Sequence, residues 1–168
     1  VQGKDAEKFP VADDAKEVPK ACDISFIGNL YNDEKNRFRK VRLSPYIAGY
    51  AEGVVQAQQP LYGKNLIREA LIVCPDVVEE LVKKCELSLS EQYVQDELQL
   101  AADVLGMEVS AREREEVLRV LCEHFPVRLY TASQLPEGIK NGNFEKMGYA
   151  DYEKELPLIY HNSKINLN

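Results

Sequence analysis

Asp23-Ile24-Ser25-Phe26-Ile27-Gly28-Asn29 is the stretch on which the fold turns. Ile24, Phe26 and Ile27 are β-branched or aromatic, and a Gly-Asn turn signal follows at once, so the run predicts a strand ending at Gly28. A second run of this kind, Val127-Arg128-Leu129-Tyr130-Thr131, comes far down the chain. Between them, from Ser44 to Phe125, the pattern is helical. A short strand is expected within Phe144 to Tyr149, then a helix from Asp151, and a last strand through Ile165 and Leu167. Strand, helical block, strand, short strand, helix, strand is the order of an α/β layer with a parallel sheet. The helical block, about residues 44–125, is far longer than the ~10–15 residues a crossover needs, so it must form a helical layer of its own.

Local signals divide that block. Ser44-Pro45 reads as a cap and first helical position, opening a helix to about Gln58 that Pro60 stops. Asn65 to Val73 and a run from Pro75-Asp76 predict two more. A fourth helix is expected from Ser90 to Gly106, where glycine would end it. Ser110 with Glu113 then resembles a capping box opening a fifth, with Val117, Leu118, Val120 and Leu121 as its apolar stripe. In the helix from Asp151, Pro157 is expected as an early interruption. Residues 1–19, charged and with prolines at 10 and 19, read as a linker or extended arm ahead of one domain over residues 20–168.

Composition narrows the function. With 45% apolar and 29% charged residues, the 168-residue chain has the make-up of a globular domain. Its formal net charge of -7 argues against nucleic acid or an anionic membrane surface as the main partner. The basic run Lys35, Arg37, Arg39, Lys40, Arg42 is the local exception. No apolar run is long enough for a membrane span and the start lacks an apolar signal core, so a cytoplasmic protein is expected. Cys22, Cys74, Cys85 and Cys122 have no C-x-x-C spacing and read as reduced core residues rather than zinc ligands or disulfides; no metal is expected.

Few residues announce chemistry. His124 precedes Phe125-Pro126 and reads as a helix-end cation; His161, ahead of the last strand, is a candidate for the cleft at the strand ends. The loop from Gly28 to Lys35 lies where a strand's carboxyl end opens, the edge at which α/β sheets bind ligands. Gly28 would let a phosphate approach closely, and Lys35 or Arg37 could neutralise it. The loop matches neither G-x-G-x-x-G nor the P-loop pattern, so a plain turn with solvated charges is the other reading. Glu113, Glu115 and Glu116 with Arg112, Arg114 and Arg119 read as a solvated helix face.

Three stretches together carry a resemblance. They are Cys22 to Asn32 (Cys-Asp-Ile-Ser-Phe-Ile-Gly-Asn-Leu-Tyr-Asn), Val127 to Thr131, and Met147 to Asn168, the last with a Gly-Tyr turn, an acidic helix with Leu-Pro-x-x-Tyr, and Asn-Ser-Lys-Ile-Asn-Leu-Asn. In this order they resemble the nucleotide-binding C-terminal half of GT-B glycosyltransferases, most of all the spore-maturation (CgeB-like) group. Tyr46, Gly49, Tyr50, Gln56 and Ala57 of the helical block share the likeness. It implies a Rossmann-like sheet and, in the intact protein, transfer of a sugar from a nucleotide sugar such as a UDP-sugar to an unknown acceptor, with no further cofactor. Gly28, Asn29 and Lys35 would face the diphosphate and Tyr149 the base; Asn29 stands where the family often has Arg. The resemblance leaves the catalytic residues unassigned.

The run Lys164-Ile165-Asn166-Leu167-Asn168 reads as a buried strand without a closing turn. The sequence is therefore expected to be an inactive fragment of a longer protein, with its later donor-binding motif beyond Asn168 and an unfinished sheet edge open to dimerisation. The alternative from another class is a non-enzymatic module that docks a partner protein on the helical block. A contiguous exposed apolar patch on those helices would favour it.

Overall fold

The computed structural model describes residues 22–87, 96–139 and 142–168. The expected arm and the Ser90 cap lie outside them. The chain divides into two compact units: one takes the chain up to Asn29 together with Glu116–Asn168, the other is Leu30–Glu115.

The first, the sheet unit, holds strands β1 (Cys22–Ile27), β2 (Val127–Tyr130), β3 (Phe144–Lys146) and β4 (Ser163–Leu167). They form one all-parallel sheet in the order β3-β2-β1-β4. The architecture is mixed α/β and Rossmann-like, with the helical insertion following β1. Strand β1 is central, pairing Ile24 with Val127 on one side and Ser25 with Asn166 on the other. Burial on both faces explains why Ile24, Ser25 and Phe26 are all buried. The buried Ser25 hydroxyl is satisfied by donating to Asn166 Oδ1 at 2.6 Å.

Strand β4 departs from the expected burial: among the described strands it lies at the edge of the sheet, and Ile165 is 53% exposed. Apolar residues along a strand do not reveal how many neighbours the strand has. Near its start, Cys22 Sγ and Ser163 Oγ lie 3.3 Å apart, and Lys164 reaches Asp23 at 2.6 Å. The preceding helix α5 (Leu156–His161) is shorter than expected. Asp151 accepts from the N–H groups of Glu153 and Lys154, closing a turn instead of capping the helix. Pro157 falls in the first turn of α5, where its missing N–H costs nothing.

The second, helical unit contains α1 (Pro45–Gln58), α2 (Leu66–Ile72), α3 (Pro75–Lys84) and the first part of α4 (Glu97–His124). Val55, Leu71, Val77, Leu81, Ala101 and Leu105 lie in its buried core. Asn65 caps α2 by accepting from the N–H groups of Ile67 and Arg68. Ser44 precedes α1 as expected but does not cap it with its side chain; its hydroxyl donates to Glu80 at 2.9 Å.

The largest correction is α4, a single helix running through Gly106 and Ser110. Buried Ala101, Leu105, Glu108, Ala111, Leu118 and Cys122 continue one stripe past the glycine, so packing outweighs its roughly 1 kcal/mol helix penalty. Ser110 with Glu113 is therefore helix interior. Glu108 disguises the stripe, because a carboxylate at a core position reads as a break.

Candidate functional site

The carboxyl ends of the parallel strands open into a cleft of about 450 Å³ within the sheet unit. From β1, the chain moves outward through β2 and β3, then crosses to the other side of β1 for β4. That reversal is a switch point, where the loops leaving adjacent strands diverge and leave a crevice. Ile27, Gly28 and Asn29 line the cleft from β1, and Tyr130, Thr131, Ala132 and Ser133 from β2. Tyr149, Ala150, Tyr152, Leu156 and Tyr160 close it from the α5 side, and Asn168 lies at its edge.

Local backbone places these groups. The Gly28 N–H donates to the Tyr130 carbonyl at 3.2 Å, continuing the β1–β2 pairing into the cleft floor. Gly148 has φ 84°, a left-handed turn that would strain a side-chain-bearing residue, and Tyr149 follows it, 77% exposed. Thr131 and Ser133 are buried. Thr131 Oγ1 accepts from the Ser133 N–H at 3.1 Å, and Ser133 Oγ donates to Asn29 Oδ1 at 3.2 Å. The Ser133 carbonyl accepts from Lys146 Nζ at 2.9 Å.

Among the described residues that line the cleft, no side chain is charged at neutral pH. Burial pushes the Tyr130 hydroxyl above its ordinary pKa, so it also stays neutral. Four tyrosines with amide and hydroxyl groups suit stacking and hydrogen bonding of an uncharged ring, not proton transfer by a carboxylate or imidazole. No known protein family, curated protein or solved structure matches this chain. The functional reading therefore rests on the cleft.

Of the four residues nominated from sequence, Gly28, Asn29 and Tyr149 meet in this cleft. Lys35 belongs to the helical unit, where its backbone N–H donates to Asp33 at 3.0 Å, and the cleft is lined without it. His161 ends α5 just before Ser163, which pairs with Cys22 at the amino-terminal edge of the sheet. It is not a lining residue because α5 delivers it to the opposite edge from the strand ends. His124 ends α4, as expected. Sequence reading missed Thr131, Ser133, Tyr152 and Tyr160. Only the position of Thr131 and Ser133 just after a strand could have flagged them.

The charged residues that dominate the sequence go elsewhere. Glu108, buried in the helical unit, accepts from Asn36 Nδ2, Arg39 Nε and Arg112 Nε, each at 2.7 Å. Arg39 also makes a two-pronged pair with Glu115 at 2.9 and 3.1 Å, and Arg112 one with Glu52 at 2.7 Å in both prongs. Burial opposes ionisation of Glu108, but hydrogen bonds from Arg39, Arg112 and Asn36 hold its carboxyl below the ordinary range. The Arg112 hydrogen bonds pull Glu52 down to about 2.

Hence the expected solvated face is only partly that: Arg119 pairs with exposed Glu116 and Glu123, whereas Arg112 and Glu115 belong to this network. Two members of the basic run are likewise committed, Arg39 to this network and Arg37 to the carbonyls of Cys85 and Glu86 beyond α3. A depression of about 630 Å³ in this unit is lined by Arg42, Lys83 and Lys84 facing Asp76, Glu79 and Glu80, so its charges cancel.

Exposed large apolar and aromatic residues occur in both units: Tyr46, Tyr62, Ile72 and Val73 in one, Phe125, Met147, Tyr152 and Ile165 in the other. Exposure does not single out the helical unit as a docking surface. Among the described residues, no helix is long and apolar enough to cross a membrane.

Proposed function

We propose that the sheet unit binds a nucleotide sugar, such as a UDP-sugar, in the strand-end cleft, and that the chain is the donor-binding part of a protein that transfers the sugar to an acceptor in the manner of GT-B enzymes. One observation carries this reading. The cleft lies at the switch point of the sheet, and three residues named from the family resemblance, Gly28, Asn29 and Tyr149, line it. Tyr149 would stack on the base, with Asn29 and Ser133 as neutral hydrogen-bonding partners. The backbone at Gly28 would lie close to the phosphates, whose developing charge must be stabilised as the sugar departs. The same reading places the protein in the cytoplasm, where the thiols of Cys85 and Cys122, raised in pKa by burial, would stay reduced.

Thermal unfolding of the whole chain with added UDP tests the proposal. A ligand at a hundred times its Kd should add about 2.7 kcal/mol of stability. The midpoint should rise with UDP concentration, and Tyr149→Ala should shift that dependence to roughly tenfold higher UDP. A midpoint unmoved at millimolar UDP would remove the basis for a donor site.

A further inference from the structure

Resting on the nucleotide reading above, we infer that Lys146, not Lys35, is the cation that meets the phosphates of a nucleotide whose base and ribose occupy the tyrosine-lined cleft. The cleft walls carry no ionised side chain among the described residues, so they provide contacts for neutral rings and no counter-charge for a phosphate. Such a charge must come from the rim. Lys146 is the last residue of β3, in register with Leu129 of β2, and therefore sits at the same carboxyl edge of the sheet as the cleft. Its Nζ is tied at 2.9 Å to the carbonyl of Ser133, a cleft-lining residue whose hydroxyl bonds Asn29.

An ammonium has three donors, and the Ser133 carbonyl takes one of them. The anchoring bond limits the rotamers of an exposed lysine, so less entropy remains to be lost when a phosphate binds.

Other cations of the sheet unit are less suited. Among its described residues, Arg119 is paired with Glu116 and Glu123, Arg128 with Glu145, and Lys164 with Asp23. Lys154 stands in a turn with Asp151, Glu153 and Glu155, whose carboxylates outnumber it and repel an anion. Lys146 is thus the cation that geometry connects to the cleft and that no carboxylate is shown to neutralise.

Calorimetric titration of uridine and UDP into the whole chain, with Lys146→Gln and Lys35→Gln variants, separates the possibilities. The wild type should bind UDP about tenfold more tightly than uridine, the size of one exposed charge-assisted contact. That advantage should shrink as salt is raised. Lys146→Gln should bring UDP affinity down to that of uridine measured on the same variant, and Lys35→Gln should keep the advantage. Equal wild-type affinities, an advantage that survives Lys146→Gln, or one lost in Lys35→Gln would overturn the assignment alone, leaving the nucleotide cleft intact. If neither ligand binds the wild type, the assignment and the nucleotide reading fall together.

Discussion

The helical unit and the sheet unit use polar residues in opposite ways. In the helical unit, Glu52, Arg39, Glu108, Arg112 and Glu115 form a network in which each carboxylate has a guanidinium and each guanidinium at least one carboxylate. That is charge turned inward, fixing the segment after Leu30 to helices α1 and α4. The sheet unit instead leaves neutral groups, Asn29, Ser133 and four tyrosines, around an open cleft. Density of charge in a sequence therefore marks architecture in this chain, and the strand-end cleft lies where charge is sparse.

Breaking the network should have the largest effect. Glu108→Ala removes the buried carboxylate that accepts from Arg39, Arg112 and Asn36, while Arg39 keeps Glu115 and Arg112 keeps Glu52. We expect a loss of about 3 kcal/mol in urea unfolding, from the two charge-assisted hydrogen bonds of Arg39 and Arg112 that disappear with Glu108. A loss below about 1 kcal/mol would mean that the network is not what holds the helical unit together.

In the sheet unit, the equivalent point is steric. A Cβ at Gly142 would lie 2.7 Å from Cys122 Cβ, where the Asn143 N–H donates to the Cys122 carbonyl. Gly142→Ala should cost about 1–3 kcal/mol by overpacking, and Cys122→Ala would not relieve it, because Cβ remains. An unchanged urea midpoint would show that this backbone can move aside.

Acid should act on the helical unit through its carboxylates. Glu52, depressed from 4.5 to about 2, and Glu108, also depressed, contribute stability that is fully present above the ordinary carboxylate pKa. It is lost as pH falls from about 4.5 towards about 2. The Glu52 share is modest, since its side chain is 38% exposed and solvent screens the pair. Urea midpoints at descending pH should fall through this window, less steeply in Arg112→Met; equal slopes would exclude the Arg112 pairs as the source.

The smallest effect should be a gain. Gly106 lies inside α4 with open space where a Cβ would go, so Gly106→Ala should stabilise by about 0.5–1 kcal/mol. Destabilisation in urea unfolding would indicate that the helix is interrupted there after all.

These contrasts explain what could be read in advance. Strand β1, helices α1 to α3, and β2 were legible because Gly28, Pro45, Pro60, Asn65 and Pro75 act locally, through backbone conformation and missing or captured N–H groups. Helix α4 was read as two because a glycine and a Ser-x-x-Glu also act locally, while the packing of Leu105 and the pairing of Glu108 that override them do not. The edge position of β4 depends on which strands flank it, information absent from residues 163–167 themselves. Gly28 and Asn29 were legible for following a strand, and Tyr149 through the family resemblance. Ser133, Tyr152, Tyr160 and Lys146 meet only through crossovers, and Lys35 fell to the other unit despite being near Gly28 in sequence.

Hydrogen exchange of the whole chain, measured by peptide with and without saturating UDP, tests most directly whether the neutral cleft is the binding site. The account predicts slowed exchange confined to residues 27–29, 130–133 and 146–160, with the Lys35 to Arg42 segment unchanged. Protection centred on Lys35 to Arg42, or none at any segment, would contradict it.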